Sequence, residues 1–323
     1  MSESKATLKS RKRQSNEPGP SRKKMVREAR VEYGITPRTK NYSEYPVGRG
    51  KIIEGDCLDV LSDLPTDEFT LAFTSPPYLN AINYSQHVEK IKGKVERWER
   101  HAVSYEEYKQ FLIDRFRALL RVVKPGGYNI VNISPVGWNG ERMALPFHFV
   151  SWMEQIGWKF REDIIWEKTI ARDRRSGVLL QHPYPGYYYP SLVSEYVFVF
   201  QKPAVKKERE NIYWNRSQAE KEQNKLDLSN FQGEMSKNVW KIRPLSPQEN
   251  LHPAPFPLEL AERVVSLYSY QGDSVIDIFA GSGQTALACE RLGRRHVSVE
   301  ILKEYVDYAT KRLKAYIAQS RMF

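Results

Sequence analysis

From about residue 50 to residue 318, short runs rich in β-branched and aromatic residues alternate with segments of helical period. That alternation narrows the possible folds more than any other property of the chain. KIIEGD reads as a strand ending in Gly55-Asp56, CLDVLSDLP as a short helix stopped by Pro65, and FTLAFTS as a second strand. A longer helix over 104–123 opens with Ser104 and Glu107 at capping-box spacing and repeats Tyr108, Leu112, Leu119 and Val123 at helical intervals. KPGG at 124–127 ends it and YNIVNI resumes as a strand. A helix around 144–156 and the strands EDIIWEK and EYVFVFQKP continue the pattern. After Pro257 come a helix to about Tyr268, the strand-then-loop SVIDIFAGSG, the helix QTALACERLG closed by Gly293, the strand RHVSVEI and a last helix over 303–317. Strands separated by helices call for an α/β domain, a largely parallel twisted sheet with helices on both faces.

Two segments stand outside the alternation. Residues 204–247 are polar with scattered aromatics and no sustained period, which reads as an insertion between a first half at 46–203 and a second at 248–323. Residues 1–45 form a basic tail expected to be disordered. Of the net charge of +11, the first 30 residues supply +7, from ten basic and three acidic side chains. The clusters RKR and RKK in that tail suit a nucleic-acid arm or an import signal, or a solvated tail without a role in the chemistry. No apolar run approaches the length of a membrane span and no secretory stretch is seen, so no membrane is expected and an intracellular setting is. The two cysteines, Cys57 and Cys289, are too few and too far apart in sequence for a disulfide framework or a metal knot.

Two constellations carry chemistry. Asp277-Ile278-Phe279-Ala280-Gly281-Ser282-Gly283 follows a strand with small residues that let a ligand approach the backbone, and a helix N-terminus comes next. Glu300 ends the following strand, placed to accept hydrogen bonds from a ribose diol, and together these features describe a pocket for an adenosine-type ligand. The second is Ser75-Pro76-Pro77-Tyr78. Two prolines lack N–H groups and cannot extend a strand, so the turn must halt FTLAF abruptly at the same sheet edge. A carbonyl of that turn and the Ser75 hydroxyl can accept hydrogen bonds from an amine, while Tyr78 offers a flat face to a base.

TSPPY, FAGSG and HPAPFP at 252–257 resemble the signature motifs of the amino-group DNA methyltransferases that use S-adenosylmethionine. The order, catalytic motif early and cofactor motif late, is similar to the permuted beta-type arrangement, and EGDCLDVL, DIIWEK and EYVFVFQK extend the match over about 50–318. The family often has two threonines after the glycine loop; here Gln284 precedes Thr285. The resemblance implies a Rossmann-like S-adenosylmethionine-dependent methyltransferase fold with permuted motifs. It makes Ser75, Pro76, Pro77 and Tyr78 catalytic. It assigns the cofactor to Asp56, Asp277, Phe279, Ala280, Gly281, Ser282, Gly283, Thr285, Glu300, His252 and Pro253. For Asp56 a helix cap, and for His252 an ordinary polar loop position, are the alternatives.

In that family serine before Pro-Pro-Tyr is typical of cytosine-N4 enzymes and aspartate is commoner among adenine-N6 enzymes. The resemblance therefore implies methylation of a cytosine flipped out of double-stranded DNA; a restriction endonuclease of the same site is a candidate further partner, on which the sequence itself is silent. Adenine-N6 chemistry and a catalytically silent nucleic-acid-binding protein of the same fold are the alternatives. A dinucleotide oxidoreductase would call for a third glycine where GSGQTA has alanine. Arg172, Arg174 and Arg175, interleaved with tyrosines in 171–190, and Lys206, Lys207 and Arg216 in the insertion are the candidate DNA contacts.

Overall fold

The computed structural model describes residues 40–79, 104–138, 141–169, 182–186, 192–206, 210–226, 236–246 and 252–320. In chain order its elements are β1 (Ser43–Val47), β2 (Gly50–Glu54), α1 (Cys57–Asp63), β3 (Phe69–Thr74), α2 (Tyr105–Val122) and β4 (Val123–Ile133). A hairpin of β5 (Val136–Trp138) and β6 (Glu141–Met143) leads to α3 (Leu145–Ile156), β7 (Lys159–Lys168), β8 (Ser194–Gln201), α4 (Gln218–Gln223) and β9 (Val239–Ile242). The chain closes with α5 (Leu258–Tyr268), β10 (Ser274–Asp277), α6 (Gln284–Leu292), β11 (Arg295–Glu300) and α7 (Lys303–Ser320).

Nine strands make one sheet in the order β1-β2-β11-β10-β3-β4-β8-β7-β9. The block from β2 to β4 is parallel throughout; β7 and β9 run with it, and β1 and β8 run against it. Alternation along the strands supplies both faces. Ile53, Ala72, Val131, Phe198 and Ile276 point to one side, where α1, α2 and α3 cover them with Val60, Leu112, Phe116 and Phe149. Their neighbours Leu71, Phe73, Ile130, Val199 and Val275 point to the other, under Leu260 and Val264 of α5 and Ala288 of α6. All six residues of β3 are buried, the condition of a strand covered on both faces and the reason FTLAFT is so apolar.

Two departures from the sequence reading have local causes. KPGG does not separate helix from strand: β4 begins at Val123, and the register jumps from Phe69 opposite Val123 to Leu71 opposite Tyr128. The extra residues bulge out of the ladder, and a Cβ on Gly127 would lie 2.8 Å from the Thr70 carbonyl, so only glycine fits there. Within the polar 204–247 segment, Val239–Ile242 pairs with β7 as the sheet's last strand and buries Trp240. Four residues are too few to show a period against their polar surroundings.

The chain passes from β10 through α6 to β11 on one side, while β3 lies on the other side of β10. The carboxyl ends of β10 and β3 therefore open a crevice at the point where the strand order reverses. Among the described residues no helix is long and apolar enough to cross a membrane.

Candidate active site

The crevice is anchored from below by Asp277, the last residue of β10. Thr74 donates to its Oδ1 at 2.7 Å, Thr285 to its Oδ2 at 2.7 Å, and the Phe279 N–H to Oδ1 at 3.1 Å. One buried carboxylate thus ties together the ends of β3 and β10 and the first turn of α6. Burial pushes its carboxyl up to about 6, and the three donors pull the other way.

This changes the place of several expected cofactor residues. Asp277 and Thr285 spend their polar atoms on each other and on β3, and they lie behind the cleft wall. Gly283 is a packing residue: it starts α6 at φ +76°, and a Cβ there would lie 2.8 Å from the Ala309 Cβ of α7. Pro253 is likewise outside the lining, while its neighbour His252 is inside it.

The remaining expected residues converge. Asp56, Ser75 to Tyr78, His252, Phe279 to Ser282 and Glu300 line one cleft. Glu300 accepts the Gly281 N–H at 2.8 Å and the Leu302 N–H at 2.9 Å, so the backbone fixes both of its oxygens. Burial pushes this carboxyl up to about 7. Gly281, at φ +51°, has the His252 ring 3.0 Å from where a Cβ would stand, and that ring packs on Tyr305 at 4.8 Å between centroids. Asp56 is both cap and cleft residue: Oδ1 accepts the Leu58 N–H at 2.8 Å, and Oδ2 pairs with Arg115 at 2.6 Å.

Arg115, Phe111 and Tyr305 add to the wall, and the sequence reading missed all three; Phe256, also in the wall, belongs to the HPAPFP stretch that it singled out. The Arg115 guanidinium sits 3.7 Å from the Phe111 ring centroid, and Phe111 stacks on Phe279 at 5.9 Å and 24°. A signal was present. Phe111 and Arg115 stand four apart on α2, and an arginine there adjoins the apolar stripe of Leu112 and Phe116.

The Pro-Pro turn is held at three points. Ser75 Oγ donates to the Asn132 carbonyl at 3.0 Å, Tyr108 donates to the Pro77 carbonyl at 2.8 Å, and Tyr78 donates to Glu195 Oε2 at 3.1 Å. With its proton committed to Asn132, the Ser75 oxygen can offer only lone pairs to a ligand. Cys57 also lines the cleft, but burial pushes its thiol up to about 12, and burial raises that of Cys289 too.

The expected DNA contacts fall elsewhere or outside the described residues. Arg172, Arg174, Arg175 and Lys207 lie outside them. Lys206 is exposed beyond the carboxyl end of β8. The Arg216 guanidinium is taken by Asp273 at 2.9 Å and Glu220 at 2.7 Å. Since Asp273 precedes β10, this places Arg216 at the end of that strand away from the cleft.

A strand-end cleft with a glycine loop on one side and an acid closing the next strand is the arrangement of Rossmann-like nucleoside-binding domains, a class that includes the S-adenosylmethionine-dependent methyltransferases. Within that class the chain belongs to the DNA methylase family of N6/N4 type, whose model matches residues 69–311. The type II beta methyltransferase M.BslI of Bacillus sp. (strain NEB-606) is 25% identical over 86% of this chain, which spans 29% of that protein's length. The type II methyltransferase M2.DpnII of Streptococcus pneumoniae is 28% identical over 88% of this chain and 96% of its own. TTHA0409 of Thermus thermophilus, solved in complex with S-adenosyl-L-methionine, superposes with a TM-score of 0.61 at 26% identity, covering 81% of this chain and 92% of that one.

S-adenosylmethionine is the family's cofactor, and the cleft fits it. Glu300 presents an acceptor at a strand end, the Phe279 and Phe111 rings give a flat apolar wall, and Gly281, without a side chain, lines the cleft beside them.

Proposed function

We propose that the protein methylates the exocyclic N4 amine of a cytosine flipped out of double-stranded DNA. The observation that carries this reading is the Ser75 to Asn132 hydrogen bond, which turns a hydroxyl into an acceptor beside the Pro76 carbonyl. An exocyclic amine is a poor nucleophile because its lone pair is delocalised into the ring. Two acceptors that take its two N–H groups favour a pyramidal nitrogen whose lone pair is freed from the ring. Held this way, the amine is oriented before reaction, and orientation supplies much of the acceleration.

S-adenosylmethionine, when bound, supplies an electrophilic methyl group on a positively charged sulfur. Glu300, Phe279 and Gly281 would hold its nucleoside end and His252 the methionine end. Tyr78 stacks on the extruded base, since a base inside a duplex cannot reach the turn. The chemistry needs no covalent intermediate, in keeping with a cleft thiol pushed up to about 12. Duplex DNA is the partner under this reading, and a restriction endonuclease of the same site would be a second.

Mass spectrometry of nucleosides from unmethylated DNA incubated with the protein and cofactor tests this directly. N4-methylcytosine is expected, with Ser75→Ala lowering its formation about a hundredfold. N6-methyladenine would keep the mechanism and move the target base to adenine. No methylated nucleoside across DNAs of varied sequence would point to a silent binder.

A further inference from the structure

A buried carboxylate beside the turn has no place in the chemistry above. Glu195, the second residue of β8, is 4% exposed. Three donors from three other segments converge on it. Lys168 at the end of β7 reaches Oε1 at 2.5 Å, the Asn132 amide of β4 reaches Oε2 at 2.6 Å, and the Tyr78 hydroxyl reaches the same Oε2 at 3.1 Å. Asn132 is also the residue whose carbonyl accepts from Ser75. Glu195 thus holds one end of the Ser75 to Tyr78 turn directly and the other end through Asn132.

Burying a carboxylate is costly unless its acceptors are filled, and a hydrophobic residue would pack under β4 and β8 without that cost. The arrangement also leaves the Asn132 side chain one-sided. Its amide nitrogen is drawn to Glu195, while its buried Oδ1 has no hydrogen-bond partner among the described residues.

Resting on the methyl-transfer reading, we propose that Glu195 is the positioning residue of the catalytic turn. It fixes the plane of the Tyr78 ring against which the base stacks and, through Asn132, the direction in which the Ser75 lone pairs point. Lys168 supplies the countercharge. The role is one of orientation, so its loss slows transfer and leaves cofactor binding intact.

Glu195→Gln tests this, because the amide replaces one acceptor with an N–H donor, and at least one of the three donors then faces another donor. Single-turnover methyl transfer to unmethylated DNA at saturating cofactor is measured with cofactor affinity and thermal midpoint, for wild type, Glu195→Gln, Tyr78→Phe and the double variant. Glu195→Gln is expected to slow transfer by about 10- to 100-fold, with cofactor affinity within about twofold of wild type. In the Tyr78→Phe background the same change should cost at least about threefold less, since the hydroxyl it acts through is gone.

A wild-type rate for Glu195→Gln, a strictly multiplicative double variant, or a loss explained by weaker cofactor binding or a collapsed midpoint overturns the proposal. If Glu195→Gln does not fold, Tyr78→Phe carries the test alone: transfer must fall about tenfold with cofactor affinity unchanged, and an unchanged rate overturns it. A wild-type protein that methylates no DNA overturns the methyl-transfer reading and this one together. Active wild type with an indifferent Glu195→Gln overturns only this one.

Discussion

Asp277 and Glu300 place two raised carboxyls at the carboxyl ends of the neighbouring strands β10 and β11, and their titration gives the cleft a pH signature. Their carboxyls move from 3.8 and 4.5 in free side chains to about 6 for Asp277 and about 7 for Glu300, with burial as the first cause in both. Below about pH 3 folded and unfolded chains hold both protons. Between there and about 7 the folded protein keeps protons that the unfolded chain has released, so its stability falls as pH rises through that window. Denaturant titrations of the ligand-free protein from pH 4 to 8 should show that decline, and Glu300→Gln should flatten its upper part. The same group predicts the sign for the cofactor. An ionised Glu300 is the better acceptor for a ribose diol, so affinity measured by calorimetry should rise from pH 6 to pH 8, and the rise should vanish in Glu300→Gln. A pH-independent affinity in the wild type would remove Glu300 from cofactor binding.

At the scale of the elements, the site is a set of strand and helix ends locked to one another. Gly283 lets α7 lie close on the start of α6, and Arg312 of α7 donates to the Ser282 carbonyl at 2.8 Å. Gly283→Ala combines a left-handed backbone with a 2.8 Å contact on Ala309, and should cost about 1–3 kcal/mol in denaturant unfolding. Cofactor affinity should weaken with it, because the glycine loop ends on that residue. A change of less than a few tenths of a kcal/mol would show that α7 yields easily. The same logic explains α2, which carries its Ser104 and Glu107 capping box, contributes Phe111 and Arg115 to the wall, and sends Tyr108 to the Pro77 carbonyl. One helix therefore sets both a wall of the cleft and the Ser75 to Tyr78 turn.

Over the whole molecule, the far edge of the sheet is completed by a strand from a segment that reads as an insertion. Trp240 of β9 is 2% exposed, packs in the same cluster as Leu260 and Val264 of α5, and stands under Arg263 at 5.6 Å. Trp240→Ala should cost about 3–5 kcal/mol, read from the shift of the denaturation midpoint. A loss below about 1 kcal/mol would mean that β9 is an ornament on the sheet. The elements that carry chemistry were legible along the chain. FTLAFT before Ser75-Pro76-Pro77-Tyr78, SVID before the glycine loop, and the strand ending at Glu300 all declare themselves through period and punctuation, which are properties of consecutive residues. What consecutive residues do not encode is which polar atoms meet across the fold. Asp277 reads as a cofactor ligand and is a buried tie between Thr74 and Thr285; Arg216 reads as a DNA contact and is spent on Asp273. Glu195 gives no local signal, because the three groups that define it come from three other segments of the chain. By itself the sequence determined the alternation of strands and helices that carries the site, the family and the turn. Only the tertiary structure decided which carboxylates face the cleft and which brace it, because burial and hydrogen bonding depend on side chains that are distant in the chain and adjacent in the fold.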